Sequence, residues 1–144
     1  MLACSFDEVE RRIADRDKHV ASFAATSDAG QIARAFRNAL YADEPEKTFF
    51  GIPHSEFAKL FRRESADRMW APDGDEAFDD GSYVLQFDVE DRVRLIAFKS
   101  KGWSYDPATL KDVCLAADDF YNILQRWRDA FVAEWAAMPK TPEQ

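Results

Sequence analysis

Ser82-Tyr83-Val84-Leu85-Gln86-Phe87-Asp88-Val89-Glu90-Asp91-Arg92-Val93-Arg94-Leu95-Ile96-Ala97-Phe98 changes side-chain character with period two, and this stretch decides the fold. Tyr83, Leu85, Phe87 and Val89 fall on one side of an extended chain, with Val84, Gln86 and Asp88 on the other. Past Glu90-Asp91, Val93, Leu95 and Ala97 alternate with Arg94, Ile96 and Phe98. Two strands joined this closely make an antiparallel hairpin. Its register stays open. Glu-Asp suits the positive φ angles of a two-residue turn poorly, so a three-residue connection with Asp88 facing Arg92 fits equally well. Slipping by one residue exchanges the faces. In either register the second face keeps apolar residues, so both sides of the sheet are expected to be partly covered.

The hairpin also closes an acidic run. From Trp70 to Asp91 the chain holds eight acids (Asp73, Asp75, Glu76, Asp79, Asp80, Asp88, Glu90 and Asp91) and no Lys or Arg. The whole chain carries a formal charge of −8, so everything outside the run is neutral, with 19 acids against 19 bases. A concentrated field selects and steers a partner, whereas evenly spread charge mainly keeps a protein soluble. The run opens as a loop, since Pro72-Asp73-Gly74 and Asp80-Gly81 carry turn chemistry, with Phe78 the one large apolar residue between them.

Ahead of the run, Phe6, Val9, Ile13, Val20 and Ala24 space out one amphipathic helix from Phe6 to about Ala25, its charges forming a solvated face that includes His19. After a break, Ser27 or Asp28 caps a second helix carrying Ile32, Phe36, Ala39 and Leu40 to near Ala42; Asp28 with Gln31 has the form of a capping box. Thr48 to Pro53 reads as a loop or short edge strand, and Ser55 as the cap of a third helix through Phe57, Leu60 and Phe61 to about Met69. Behind the hairpin, Lys99 to Lys111 is a basic, turn-rich link, and Asp112-Val113-Cys114-Leu115 a third strand. Phe120, Ile123, Leu124, Trp127, Phe131, Trp135 and Met138 then fall at steps of three and four. That spacing predicts a closing helix of roughly 30 Å, with Asp118 and Asp119 in its first turn and Pro139 at its end. Trp127 and Trp135 share its apolar face and read as core.

The fold expected is α+β: N-terminal helices, a three-stranded antiparallel β-meander, and a long C-terminal helix packed on the sheet. One domain spans 1–144, divided into a mainly helical part (1–69), the acidic loop and meander (70–116), the closing helix (117–138) and a tail (139–144).

Composition narrows the function. With 32% charged and 14% aromatic residues the chain has ample material for a core. Its apolar runs fall far short of the roughly 20 residues that span a bilayer. Asp7, Glu8 and Glu10 arrive where a secretion signal would be basic then apolar. Cys4 and Cys114 have neither metal-knuckle nor redox-pair spacing. A soluble cytoplasmic protein is expected, with no membrane or nucleic-acid partner, because the acidic field repels phosphates. A basic protein would be attracted, and many nucleases are basic because they grip phosphates.

Chemistry was sought in the same residues. Asp73 to Asp80 fails the calcium-loop template, since Ala77 takes a ligand position and Phe78 the position of the invariant Gly. Crowded carboxylates on a turn-rich loop read as solvated charge rather than an acid–base pair. Neither His19 nor His54 has a neighbouring nucleophile pattern, Cys114 reads as a small core residue, and the five glycines build no phosphate loop. No catalytic, metal or cofactor site is predicted. Trp70 and Trp103 flank loops and read as packing or as interface residues, Trp being enriched among binding hot spots.

Gly74-Asp-Glu-Ala-Phe-Asp-Asp-Gly-Ser-Tyr-Val-Leu-Gln-Phe-Asp88, Arg92-Val-Arg-Leu-Ile-Ala-Phe-Lys99, and Asp118-Asp-Phe-Tyr121 leading to Trp127, Phe131 and Glu134-Trp135 together resemble the small α+β immunity proteins of bacterial polymorphic-toxin systems, of the contact-dependent growth inhibition type. The resemblance covers residues 70–136, leaves the N-terminal helices unmatched and transfers no functional residue. It implies a cytoplasmic protein that binds the C-terminal toxin domain of a delivered effector, often a nuclease, and blocks it. The candidate toxin-binding residues are Trp70, Asp73, Asp75, Glu76, Phe78, Asp79, Asp80, Tyr83 and Trp103. The rival readings are a scaffold module docking through Trp103-Ser-Tyr105 or Phe49-Phe50, and an enzyme with an acid-lined cleft.

Overall fold

The computed structural model describes residues 2–42, 44–61, 68–70 and 81–139, with side chains from Phe6 onward in the first helix. The hairpin strands are β3 (Ser82–Val89) and β4 (Arg92–Lys101), preceded by α1 (Leu2–Ala14), α2 (Ala29–Tyr41), the short β1 (Thr48–Phe49) and β2 (Ile52–Pro53), and α3 (His54–Lys59). After them come β5 (Ser104–Tyr105), a 3-10 turn at Pro107–Thr109, β6 (Lys111–Ala116) and α4 (Ala117–Ala137).

The two-residue connection is the one that forms. Val89 pairs with Arg92 and Asp88 with Val93, leaving Glu90 and Asp91 as the turn. Glu90 takes a φ of 56°, a conformation costing a non-glycine residue roughly 1–2 kcal/mol. The register offsets it by setting Leu85 against Ile96 and Tyr83 against Phe98 on one face; the alternative would send Ile96 and Phe98 to the other side. Leu85, Phe87 and Ile96 are fully buried, and each is worth roughly 1.5–3 kcal/mol.

β4 is the central strand, paired to β3 on one side and β6 on the other. Its far end also pairs with β5, so the sheet has four strands where the link after Lys99 was expected to hold none. The outer edge of β3 is closed: the Gln86 N–H donates to Arg68 O, the Trp70 N–H to Val84 O, and the Asp88 N–H to His19 O. Both sheet faces are covered. α2, α3 and Phe23 pack on the face of Leu85, Phe87, Ile96 and Phe98. α1 and α4 pack on the face of Val93 and Leu95.

Several sequence expectations are corrected. The first helix stops at Ala14 rather than Ala25, and Asp17, at φ 70°, redirects the chain. That turn carries His19 and Phe23 into the interior, where a continuous helix would have left His19 on its charged side. Asp28 caps α2 as expected, its Oδ2 accepting from the Gln31 N–H at 3.2 Å. α3 starts at His54, directly after Pro53, with no side-chain cap from Ser55. Met69 lies in an antiparallel bridge to Leu85, not in a helix. Cys114 is exposed on the outer strand β6 rather than in the core; the Cys4 side chain is outside the described residues.

The closing helix is 21 residues long, about 31 Å, and outruns the sheet. Only Ala117, Phe120, Tyr121 and Leu124 are buried. Trp127 and Phe131 are half-buried, while Ile123 (59%) and Trp135 (65%) are exposed. The periodicity marked an apolar stripe correctly but could not say how much of it has a partner.

Candidate functional site

The acidic run divides into three. Asp73, Asp75, Glu76, Phe78, Asp79 and Asp80 lie outside the described residues, but both ends of their segment are anchored on the same end of β3. Trp70 is held beside Val84, and Gly81 O accepts the Ser100 N–H at 2.9 Å. Glu90 and Asp91 sit exposed at the opposite end of the hairpin, where Asp91 O accepts the Ala117 N–H that starts α4. Asp88 is buried between them.

Tyr83 and Trp103 come together at the end from which the 71–80 segment departs. Trp103, at 89% exposure, stands in the turn linking β4 to β5. That turn is braced by Arg37 of α2, whose guanidinium donates to Gly102 O and Ser104 O at 3.2 Å and to the Tyr83 hydroxyl at 3.3 Å. Arg37 also stacks 4.4 Å from the Tyr41 ring, and the Tyr41 and Tyr83 hydroxyls are 2.8 Å apart. Gly102 takes a left-handed φ of 59°, which strains any residue with a side chain. Trp103 is therefore an aromatic presented to solvent on a turn fixed from below. Lys99 and Lys101 flank it, so the positive charge of the basic link shares this end with the acids.

Trp70 behaves otherwise. Its ring is half-buried under the Arg12 guanidinium, 4.7 Å from the centroid, and its indole N–H donates to Gln86 Oε1 at 2.9 Å. Gln86 Nε2 donates to the Tyr121 hydroxyl at 3.1 Å, and that hydroxyl donates to Asp88 Oδ1 at 2.7 Å. Asp88 Oδ2 accepts from the His19 backbone N–H at 3.1 Å and lies 2.8 Å from His19 Nδ1. Burial by itself would raise the Asp88 carboxyl, but the bonds from His19 and Tyr121 hold it below its ordinary value. Burial, and then the hydrogen bond to Asp88 and its charge, push the Tyr121 hydroxyl far above its usual range. Glu8 shows the same contest: burial raises its carboxyl, while Arg12 and Arg11 bring it below normal. This His19–Asp88–Tyr121 group is buried, and its members satisfy one another.

Sequence reasoning missed Arg37, Tyr41 and the buried network. The signal for the network was present in the hairpin itself: Gln86 and Asp88 follow each other on one face, and polar residues on a covered face need partners. Among the described residues no group of three or more His, Cys, Asp or Glu could hold a metal ion, and no helix is long and apolar enough to cross a membrane.

The family model described as immunity protein 42 matches residues 1–130. The chain belongs to the immunity protein 42 family. The match takes in α1, α2 and α3, which the resemblance read from the sequence had left out, and stops before Phe131. No curated protein and no solved structure matches the chain. Membership in an immunity family points to binding and neutralisation of a cognate toxin protein. In this immunity protein 42 member the Trp103 end of the sheet presents an exposed aromatic on a turn braced by Arg37.

Proposed function

We propose that this protein neutralises a basic, nuclease-type toxin domain, in the manner of contact-dependent growth inhibition immunity, by covering the surface that binds substrate phosphates. It acts in the cytoplasm, and its role is binding, not catalysis. The observation that carries this reading is the fixed, solvent-facing Trp103 beside the departure point of a segment with five acids. Carboxylates in that segment steer a basic partner and occupy the places of substrate phosphates, which raises the association rate more than the affinity. Trp103 and the Tyr83–Tyr41 pair supply the desolvated contact that slows dissociation.

The test is co-expression with the C-terminal domain of a candidate toxin encoded beside this chain, followed by kinetics on an inactivated form of that domain. The wild type restores growth. Replacing Asp75, Glu76, Asp79 and Asp80 together by Ala slows association about tenfold at 0.15 M salt and more at lower salt, while Trp103→Ala raises Kd roughly 30-fold through faster dissociation. Binding indifferent to salt and to both changes would refute the mechanism.

A further inference from the structure

We propose that the outer ends of α1 and α4 form a second docking surface, one that takes an apolar segment flanked by basic residues on the cognate toxin. This rests on the toxin-binding reading and adds a contact to it. The two helices run antiparallel, tied by Arg16 to Asp118 at one end and Arg128 to Glu10 further out. Beyond that pair the sheet no longer backs them, and an aromatic ridge continues alone. Phe6 stacks on Phe131 at 4.8 Å, Trp127 on Phe131 at 5.4 Å, and Phe131 on Trp135 at 6.0 Å. Trp135 and Met138 remain mostly in solvent.

Hollows of about 330 Å³ and 230 Å³ flank Trp135. Each has one carboxylate on its wall, Asp7 in the larger and Glu134 in the smaller. Nearby acids have partners: Glu8 pairs with Arg11 and Arg12, while Glu10 and Asp129 share Arg128. Asp7 and Glu134 have no ion-pair partner among the described residues. An apolar ridge between two uncompensated anions is the complement of an apolar segment with basic neighbours. A second copy of this chain is the poorer occupant. It would bring the same two carboxylates to the same rim, on a molecule already at −8.

Calorimetric titration with the inactivated candidate toxin domain decides the matter. Trp135→Ala should raise Kd about 30-fold or more, and Asp7→Lys with Glu134→Lys should raise Kd and flatten its dependence on salt. Neither change touches the buried core, so thermal melts should match the wild type. If the wild type binds and Trp135→Ala binds equally well, the ridge is not a toxin contact, although the toxin reading survives. If the wild type does not bind, both ideas fall. If sedimentation shows a wild-type dimer that Trp135→Ala disperses, the occupant is a second copy and the proposal is overturned.

Discussion

Tyr121→Phe removes a single oxygen from the interior and should be expensive. In the folded protein that hydroxyl donates to Asp88 Oδ1 at 2.7 Å and accepts from Gln86 Nε2 at 3.1 Å. A hydrogen bond to an ionised group contributes about 1.5–3 kcal/mol, and an orphaned buried N–H costs about 1–3 kcal/mol. Some relaxation of Gln86 is expected, so the net loss should be about 3 kcal/mol. At the m-values usual for a chain this size, urea unfolding should show a midpoint lower by roughly 1.5 M with an unchanged slope.

The pH dependence separates the two parts of that loss. Asp88 has its folded pKa depressed, so it stabilises the protein above the unfolded value near 3.9. That contribution disappears as pH falls through the folded value. Without the tyrosine donor the folded pKa rises toward the unfolded one, and less stability is left to lose. The gap between wild type and variant should therefore narrow below about pH 4, leaving the share due to Gln86. Tyr121 stays protonated throughout, its pKa being raised. A loss under 0.5 kcal/mol at pH 7, which is roughly the level of an ordinary surface change, would show the network to be idle. A gap that widens on acidification would contradict the assignment of the charge to Asp88.

Three further changes follow from the backbone and from the buried Arg94. Glu90→Gly relieves a left-handed residue at φ 56° and should stabilise the protein by about 0.5–1 kcal/mol, read as a higher urea midpoint. Arg94 makes paired bonds of 2.9 Å to Asp112 and also donates to Ala24 O and Ser27 O. Arg94→Met should cost about 3 kcal/mol and loosen the turns in which the Ala24 and Ser27 N–H groups donate to Ala21 O and Phe23 O, read as faster hydrogen exchange there, whereas Asp112→Asn, on a half-exposed partner, should cost under about 1 kcal/mol.

The hairpin, the α2 cap and the closing helix were legible because each is written in local periodicity or spacing. The errors share a cause: they depend on what a segment meets after folding. Nothing in residues 15–25 announces that Asp17 will turn and deliver His19 to Asp88, since the partner is 69 residues away. The stripe on α4 reads as apolar whether or not the sheet is long enough to cover it. Arg37 looks like one more charge on α2 until its guanidinium is seen under the Trp103 turn. Family membership was half legible, in residues 70–136, while the N-terminal helices, which carry no motif, entered only with the family match to 1–130.

The division of the acidic run has a consequence for how binding should respond to mutation. As a sequence it is one block of eight carboxylates; folded, it is not one field. Asp88 is internal, its charge met by hydrogen bonds. Glu90 and Asp91 are separated from Gly81 by the length of β3, eight residues or about 26 Å, some three Debye lengths at physiological salt. The segment that holds Asp73, Asp75, Glu76, Asp79 and Asp80 starts after Trp70 and ends before Gly81, both fixed at the Trp103 end, where Lys99 and Lys101 add positive charge. Glu90→Gln with Asp91→Asn should accordingly leave the toxin association rate within about twofold, while the four-site alanine variant slows it about tenfold, although the two-site change removes half as many charges. Equal slowing per charge, measured by stopped flow at 0.15 M salt, would mean that net charge and not placement governs encounter, and that the Trp103 end holds no privileged position.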